Sequence, residues 1–280
     1  MGVLRGLLAV AALWALTGAA RADLLVLVLV HGYLGSSHSW EAGGVVPLLE
    51  RHGWRRAGLL RIGPAGIERR PGPGAEAANK VYSVDLPSTA PLMVQADLLA
   101  ALLRDLKTRH PDEPLYLAGH SAGGVVARLL LVRHPRIGAA SLITIAAPHT
   151  GTLRAVEALD ETDGSGPVGW FRDLFGGNLY QTVKHSRGVL IDLTPPHPGS
   201  LLHWLNLQPH PDIAYHSIVR PGPTGMGDEL VPAFSQDMNR VPALRGRSRV
   251  VVSDAAHGLA PGDAVLLLGL IDKSSGKPNR

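Results

Sequence analysis

One stretch in the middle of the chain restricts its fold more than any other. An apolar run, PLYLAG at 114–119, predicts a buried strand, and AGGVVARLLLVRH at 122–134 predicts a helix. Only the bend around Ser121 separates them, so the strand must feed the helix through a very tight turn. Gly119 and Gly123 suit such a turn, because larger side chains there would collide with each other or with adjacent strands. The stretch therefore predicts an α/β fold in which a serine hydroxyl stands exposed above the sheet edge.

Strand-like and helix-like segments alternate along the rest of the chain. This alternation is typical of βαβ units and predicts a mainly parallel sheet flanked by helices. The predicted strands lie at 24–30, 57–63, 80–86, 114–119, 140–148, 213–219 and 248–253. Helices are predicted near 45–52, from 92 to just before Pro111 with Ser88 or Thr89 as the cap, at 122–134 and at 261–273.

Two segments interrupt this alternation. Residues 64–79 are rich in proline and glycine and predict an exposed loop. Residues from about 151 to 211 mix glycine, proline, tryptophan and short amphipathic pieces, and long segments of this kind tend to be lids or binding elements. We therefore expect one domain at 23–280 with a cap or lid insertion at about 151–211.

The composition excludes several classes of protein. Of the 280 residues, 45% are apolar and 18% are charged, which is enough apolar material for a large core. The chain has no cysteine, so disulfides, a thiolate nucleophile and a cysteine-based zinc site are impossible. The formal charge of +4 comes largely from scattered arginines without a lysine-rich run, so we expect no nucleic-acid partner.

The first 22 residues have the pattern of an export signal. Arg5 lies in a short basic start, an apolar stretch runs from 6 to 16, and Ala20-Arg21-Ala22 has the small-x-small form of a cleavage site. We expect cleavage after Ala22 and a secreted or periplasmic protein. An uncleaved membrane anchor is the alternative, although the apolar stretch is short for a span of ~20 residues.

Ser121 lies in GHSAG, which has the G-x-S-x-G form of a nucleophile elbow. A serine hydroxyl attacks well only when a base takes its proton and a carboxylate orients that base. His257 is the candidate base, because it is the histidine that follows the last predicted strand, in the small-residue loop SDAAHGLAPGD. In sites built on a nucleophile elbow, the acid comes between the serine and the histidine in the chain.

Four aspartates are candidates for the acid. Asp228, in GMGDELVP, comes soon after the strand 213–219 and is preferred, although it could also be an ordinary turn residue. Asp254 is the second choice, since it lies only three residues before the candidate histidine. Asp192 falls inside the insertion, and Asp237 lies further from a strand end.

Two backbone N–H groups are candidates for binding a developing oxyanion. One belongs to Ala122, which follows the candidate nucleophile at the start of a predicted helix. The other belongs to Tyr33, in the loop HGYLG that follows the first strand, although this loop could simply be a strand-ending turn.

Four segments together give the chain a resemblance to a known superfamily. They are HGYLG at 31–35, GHSAGG at 119–124, AAPHTGT at 146–152 and the pair GDELVP and AAHG. Their sequence and order resemble the α/β-hydrolase superfamily, within it the bacterial secreted lipases and esterases and the hydrolase domain of inositol deacylases. The resemblance implies an enzyme with the triad Ser121, Asp228 and His257, and a structural role for His149.

The resemblance also bears on cofactors and on the lid. Many such lipases bind calcium through a carboxylate two residues after the catalytic histidine, where this chain has Leu259, so we expect no metal and no cofactor. The insertion would be the lid, and its apolar residues could contact lipid transiently or pack on the core. These residues are Leu153, Val156, Leu159, Trp170, Phe171, Leu174 and Phe175.

The expected activity is hydrolysis of carboxylic esters, with a lipid or another small ester as substrate. A thioesterase or an amidase would use the same residues, because fold and triad do not determine the leaving group. A binding protein that has lost catalysis is a further alternative, although such proteins usually lack a member of the triad.

Overall fold

The structure, a computed structural model, describes residues 24–162, 181 and 185–274. The predicted signal peptide at 1–22 lies outside the described residues, as do Trp170, Phe171, Leu174 and Phe175 of the predicted lid. Within the described part, no helix is long and apolar enough to cross a membrane.

Eight strands form one sheet, and each of the seven predicted strands is present. The strands are β1 Leu25–Val30, β2 Trp54–Gly63, β3 Gly66–Pro71, β4 Asn79–Asp85, β5 Leu115–His120, β6 Ala139–Ile145, β7 Ala214–Val219 and β8 Ser248–Val252. Their order across the sheet is β3-β2-β4-β1-β5-β6-β7-β8. All neighbours are parallel except β2 and β3. The prediction of a mainly parallel α/β sheet is confirmed.

Helices cover both faces of the sheet. Their bounds are α1 Ser39–Ala42, α2 Val45–Arg51, α3 Leu92–Arg109, α4 Ala122–Arg133, α5 Leu153–Thr162, α6 Arg187–Asp192, α7 Leu201–Leu207, α8 Ala233–Gln236 and α9 Pro261–Ser274. α3 and α4 pack in one apolar cluster, and α2 and α9 pack in the other. Helices α5, α6 and α7 lie within 151–211, between β6 and β7 in the chain.

The central strand β1 shows how the sequence builds both clusters. Its residues LVLVLV are all buried, and successive side chains of a strand point to opposite faces. The valines at 26, 28 and 30 join the cluster with α3 and α4, whereas the leucines at 25, 27 and 29 join the cluster with α2 and α9. The alternation of leucine and valine therefore assigns one residue type to each side of the sheet.

The prediction of a loop at 64–79 was wrong in part. Residues Gly66–Pro71 form β3, which pairs antiparallel with the end of β2. β3 is an edge strand, and edge strands carry charges and proline because one side has no strand partner. Arg61 of β2 forms an ion pair with Glu68 of β3 at 2.5 Å, which helps to hold the two strands of the hairpin together. The charged residues of this hairpin show no apolar pattern.

The start of α3 also differs from the prediction. Neither Ser88 nor Thr89 caps it, and the helix begins at Leu92, directly after Pro91. The backbone N–H of Leu92 instead donates to Asp192 Oδ2 at 2.8 Å. A carboxylate from the segment 151–211 thus caps a helix 100 residues earlier in the chain, which local sequence cannot indicate.

Gly124 of α4 lets this helix pack closely on the end of β6 and on the loop that follows it, and this contact can be tested. A Cβ at Gly124 would lie 2.6 Å from Ala147 Cβ, whereas a Cβ at Gly269 of α9 would meet nothing within 4 Å. We predict that Gly124→Ala lowers the free energy of unfolding by about 1–3 kcal/mol through overpacking. Gly269→Ala should raise it by up to about 1 kcal/mol, the usual gain from removing glycine from a helix.

Urea unfolding followed by circular dichroism measures both variants. Gly269→Ala is the matched control, because it makes the same chemical change at an exposed position of a helix. A Gly124→Ala protein as stable as the wild type would contradict the close packing of α4.

Candidate active site

Ser121 lies at the bend between β5 and α4 in a conformation that non-glycine residues rarely adopt. Its φ is 52° and its ψ is −129°. A Cβ on Gly119 would lie 2.5 Å from the Cα of Gly124, and one on Gly123 would lie 2.2 Å from the carbonyl oxygen of His31. These glycines therefore allow the bend to close, and the bend brings the serine side chain to the carboxyl edge of the sheet.

The structure brings Ser121, His257 and Asp228 together from loops that follow three different strands. His257 Nε2 lies 2.9 Å from Ser121 Oγ. His257 Nδ1 lies 3.0 Å from Asp228 Oδ2. The side chains of His257 and Asp228 are 9% and 1% exposed, so little water competes for these contacts. A proton can move along this chain from the hydroxyl to the imidazole.

The Asp228 carboxylate is held ionised by its hydrogen bonds. Burial alone would raise its pKa, but hydrogen bonds from His257 and from the backbone N–H groups of Leu230 and Val231 hold the pKa below its usual value. These N–H groups donate to Oδ1 at 2.9 Å and 2.7 Å. Gln236 Nε2 donates to Oδ2 at 3.1 Å. The carboxylate is thus a fixed acceptor for the Nδ1–H of the imidazole.

The other three aspartates lie elsewhere. Asp192 and Asp237 each accept from a backbone N–H at the start of a helix or helical turn. Asp254 is exposed, and within the described residues no hydrogen bond joins it to His257. The geometry therefore favours Asp228 over Asp254 as the partner of the imidazole.

Both predicted oxyanion donors lie in segments that border Ser121. The N–H of Ala122 opens the first turn of α4 and has no hydrogen-bond partner within the described part of the chain. The loop that carries Tyr33 packs closely against Ser121, since a Cβ on Gly32 would lie 2.9 Å from Ser121 Cβ. An anion beside Oγ would therefore meet the start of α4 and the loop after β1.

His31 fixes the loop that carries Tyr33, a role that sequence reasoning did not assign. Its ring is buried, and its Nε2 accepts from the backbone N–H of Leu86 at 3.0 Å, while Nδ1 lies 3.0 Å from the carbonyl of Gly32. Burial lowers the pKa of His31, so the ring stays neutral and can accept at one nitrogen and donate at the other. The ring thereby ties the loop after β1 to the end of β4.

Two further residues contact the backbone of His257. His120 Nε2 lies 2.8 Å from the His257 carbonyl, and burial, together with the nearby His257, lowers the pKa of His120 to about 3. Its neutral ring donates this hydrogen bond. Glu229 accepts from the His257 N–H at 3.1 Å. Both contacts involve backbone atoms, so no sequence motif signals them.

His149 lies apart from the imidazole of His257 and contacts the core. It is fully buried, and its Nε2 lies 3.0 Å from Thr144 Oγ1. Burial lowers the pKa of His149 well below its usual value. Its carbonyl accepts from Arg128 and Asn206, which anchors the loop after β6 beside the candidate site.

A small cavity of about 60 Å³ opens beside Ser121 and is mainly apolar. Its lining comes from the loop after β1, from the segment 151–211 and from the loop that carries Asp228. The lining residues are Tyr33, Ser121, Pro148, Thr152, Arg154, Ala155, Leu190, Leu193, Leu230 and Val231. Such a cavity suits a small apolar group attached to a carbonyl at the hydroxyl.

The described residues contain no group of three or more histidine, aspartate or glutamate side chains arranged to hold a metal ion. The position two residues after His257, Leu259, packs with the apolar cluster of α2 and α9.

Comparison with known proteins agrees with this architecture. The family model described as alpha/beta hydrolase fold matches residues 26–189, more than half of the chain. The chain belongs to the alpha/beta hydrolase family. No curated protein matches it significantly.

Solved structures of this α/β-hydrolase architecture align over most of the chain. The lin2722 gene product of Listeria innocua is 16% identical with a TM-score of 0.60, covering 90% of this chain and 95% of that one. The mature lipase BlEst2 of Bacillus licheniformis is 17% identical with a TM-score of 0.57, covering 89% and 91%. The metagenomic carboxyl esterase MGS0156 is 14% identical with a TM-score of 0.55, covering 90% and 76%. At these identities the similarity concerns the fold.

The lowered pKa of Asp228 predicts how stability depends on pH. A carboxyl whose pKa is lower in the folded state than in the unfolded state stabilises the folded protein. This contribution is complete above the unfolded pKa, which is about 4, and is lost as the pH falls through the folded pKa. We expect Asp228→Asn to lower the free energy of unfolding by about 1–3 kcal/mol at pH 7. The difference from the wild type should shrink as the pH falls below 4.

Chemical unfolding of both proteins at pH 7 and at low pH measures this difference. Asp254→Asn is the matched control, because Asp254 is exposed, and its effect should be small at either pH. An effect of Asp228→Asn that grows on acidification would contradict the assigned sign.

Proposed function

We propose that the protein is a serine hydrolase that cleaves carboxylic esters, with lipid acyl esters or small esters as substrates. The observation that carries this proposal is the hydrogen-bonded chain from Ser121 Oγ through His257 to the Asp228 carboxylate. The Ser121 hydroxyl and the His257 imidazole, 2.9 Å apart, have the geometry of a nucleophile and its base, and the carboxylate orients the ring.

The proposed reaction has two halves. Ser121 Oγ forms a bond to the ester carbonyl carbon while its proton passes to His257 Nε2, and Asp228 stabilises the resulting imidazolium. The N–H groups of Tyr33 and Ala122 bind the oxyanion, each contributing ~3 kcal/mol in comparable enzymes. The bond to the alcohol then breaks, and the alcohol leaves with the proton from the imidazolium. Water repeats the sequence and releases the carboxylic acid.

Esters are favoured as substrates by two observations. The cavity beside Ser121 is small and mainly apolar, which suits a short acyl group or the first carbons of a longer one. Two similar structures are named a lipase and a carboxyl esterase. Export from the cytoplasm is part of this proposal and rests on the sequence pattern of residues 1–22.

Replacing the nucleophile tests the proposal directly. Ser121→Ala should remove essentially all hydrolysis of a p-nitrophenyl ester, because the residual catalysis by oxyanion binding is ~10⁶-fold weaker in comparable triads. The unfolding transition should stay cooperative. Ser88→Ala is the matched control and should keep wild-type turnover.

Labelling with a fluorophosphonate probe provides a second measurement. The wild type and Ser88→Ala should be labelled, and Ser121→Ala should not. An active or labelled Ser121→Ala protein would exclude this serine as the nucleophile. A wild type that is neither labelled nor active would favour a binding protein without catalysis.

We also propose that the segment 151–211 acts as a lid that contacts lipid. Leu153 and Ile191, at the ends of α5 and α6, are 63% and 50% exposed although both helices border the cavity. Exposed apolar residues beside such an opening are suited to an apolar surface.

This lid predicts a rate that rises sharply when an ester substrate passes its solubility limit. Leu153→Ser should reduce that rise and leave the rate on dissolved substrate unchanged. Val265→Ser, on the opposite face of the sheet, is the matched control. Smooth saturation of the wild type through the solubility limit would contradict the lid.

A further inference from the structure

Arg220 directly follows β7 and is completely buried together with its acidic partner. Its Nη2 donates to Asp263 Oδ2 at 2.6 Å, and both side chains are 0% exposed. Asp263 lies in the first turn of α9. Burying such a pair removes two charges from water, and a packed apolar pair would often be at least as stable. Stability alone is therefore a weak reason for the pair to lie here.

The other end of the guanidinium holds the loop that carries His257. Arg220 Nη1 donates to the carbonyl oxygens of Ala256, His257 and Gly258, the last at 2.6 Å. Three consecutive carbonyls that point at one atom need a cation or strong donor at the centre, because their dipoles would otherwise repel each other. The guanidinium supplies that positive charge from within the chain.

The acid partner secures the far end of the same loop. Asp263 Oδ2 accepts from the backbone N–H of Ala260 at 2.9 Å in addition to Arg220. The ion pair therefore contacts the loop through carbonyls at one end and through an N–H at the other. Backbone contacts to this buried pair thus hold the loop at 256–258 and at 260, in addition to the contacts of His120 and Glu229 with His257.

Arg220 is also connected to Asp228 through a single side chain. The N–H of Arg220 donates to Gln236 Oε1 at 2.7 Å. Gln236 Nε2 donates to Asp228 Oδ2 at 3.1 Å. The backbone of Arg220 thus positions the carboxylate, and its side chain positions the loop of the imidazole.

We propose that Arg220 is a positioning residue that acts as an internal cation and keeps the His257 imidazole aligned between Ser121 and Asp228. The activity readout of this proposal rests on the proposed function. Arg220 is buried and contacts the backbone of the loop that carries His257, so it is not exposed to a substrate. Its loss should therefore lower kcat and change KM little.

The decisive variant is Arg220→Ala, assayed with and without guanidinium ion. We expect a loss of kcat of about 100-fold, the effect of small misplacement of a catalytic group, with KM within about threefold. Guanidinium ion, at concentrations well below those that unfold proteins, should restore kcat at least about tenfold, since the planar cation can re-enter the carbonyl cage. Equal concentrations of sodium chloride or urea should not restore it.

A matched control is available at the amino ends of the strands, away from the carboxyl ends where the candidate site lies. Arg247, just before β8, also donates to a backbone carbonyl, that of Pro211, at 2.9 Å and pairs with Asp212. Arg247→Ala should keep kcat within about twofold, because the amino ends of the strands lie far from the reacting groups. A similar loss of kcat in both variants would show a general effect of removing an arginine and would overturn the proposal.

A double variant separates positioning from folding. Arg220→Met combined with Asp263→Asn leaves no unpaired buried charge, so it should unfold cooperatively even if Arg220→Ala does not. The proposal predicts that its kcat still falls. A folded double variant with wild-type kcat, or a folded Arg220→Ala protein that guanidinium does not restore, would overturn it.

The low-field proton NMR signal of the His257 Nδ1–H separates this proposal from the proposed function. The wild type should show this signal through its hydrogen bond to Asp228, and Arg220→Ala should lose it until guanidinium is added. A wild type without esterase activity would refute the proposed function, while the NMR signal would still test the role of Arg220. An unchanged signal in folded Arg220→Ala would refute that role.

Discussion

The bend at Ser121 is the constraint on which the rest of the structure depends. A backbone in this sparsely populated region costs of the order of 1–3 kcal/mol and persists only when its surroundings enforce it. Two contacts hold this conformation. The N–H of Ser121 donates to the carbonyl of Ile145 in β6, and the glycines around Ser121 let α4 pack closely against the neighbouring strands. The apolar cores on both faces of the sheet thus hold one polar side chain at its edge.

The parallel sheet explains why distant residues meet at this point. Parallel strands end at the same edge, so the loops after β5, β7 and β8 converge there. Ser121 and His257 are 136 residues apart in the chain and 2.9 Å apart in space. The fold therefore supplies the proximity, and the loops supply the chemistry.

Local patterns were enough to predict much of this arrangement. The strand, bend and helix around Ser121 are encoded within about twenty consecutive residues, so each part of the prediction supports the others. The apolar alternation of β1 and the position of Asp228 after β7 are similarly local. Features that depend on one strand edge or one turn were therefore predictable from sequence.

Contacts between distant segments explain what could not be predicted. The edge strand β3 is rich in charge and has no apolar pattern, so only its pairing with β2 defines it. Asp192 caps a helix from 100 residues away. His120 and Arg220 act on backbone carbonyls, which are present at every residue and leave no mark in the sequence. Residues that support a site through backbone atoms are thus systematically harder to predict than those that react.

The electrostatics of the site join these supporting residues to the proposed chemistry. Burial keeps His31 and His120 neutral, and Asp263 balances the charge of Arg220, so none of them adds a net positive charge beside the imidazole. Asp228 is different, because hydrogen bonds keep it ionised although it is buried. When His257 takes a proton, the nearest uncompensated buried charge is therefore negative. A low-dielectric setting strengthens the attraction between the Asp228 carboxylate and an imidazolium, which favours the proton transfer of the proposed reaction.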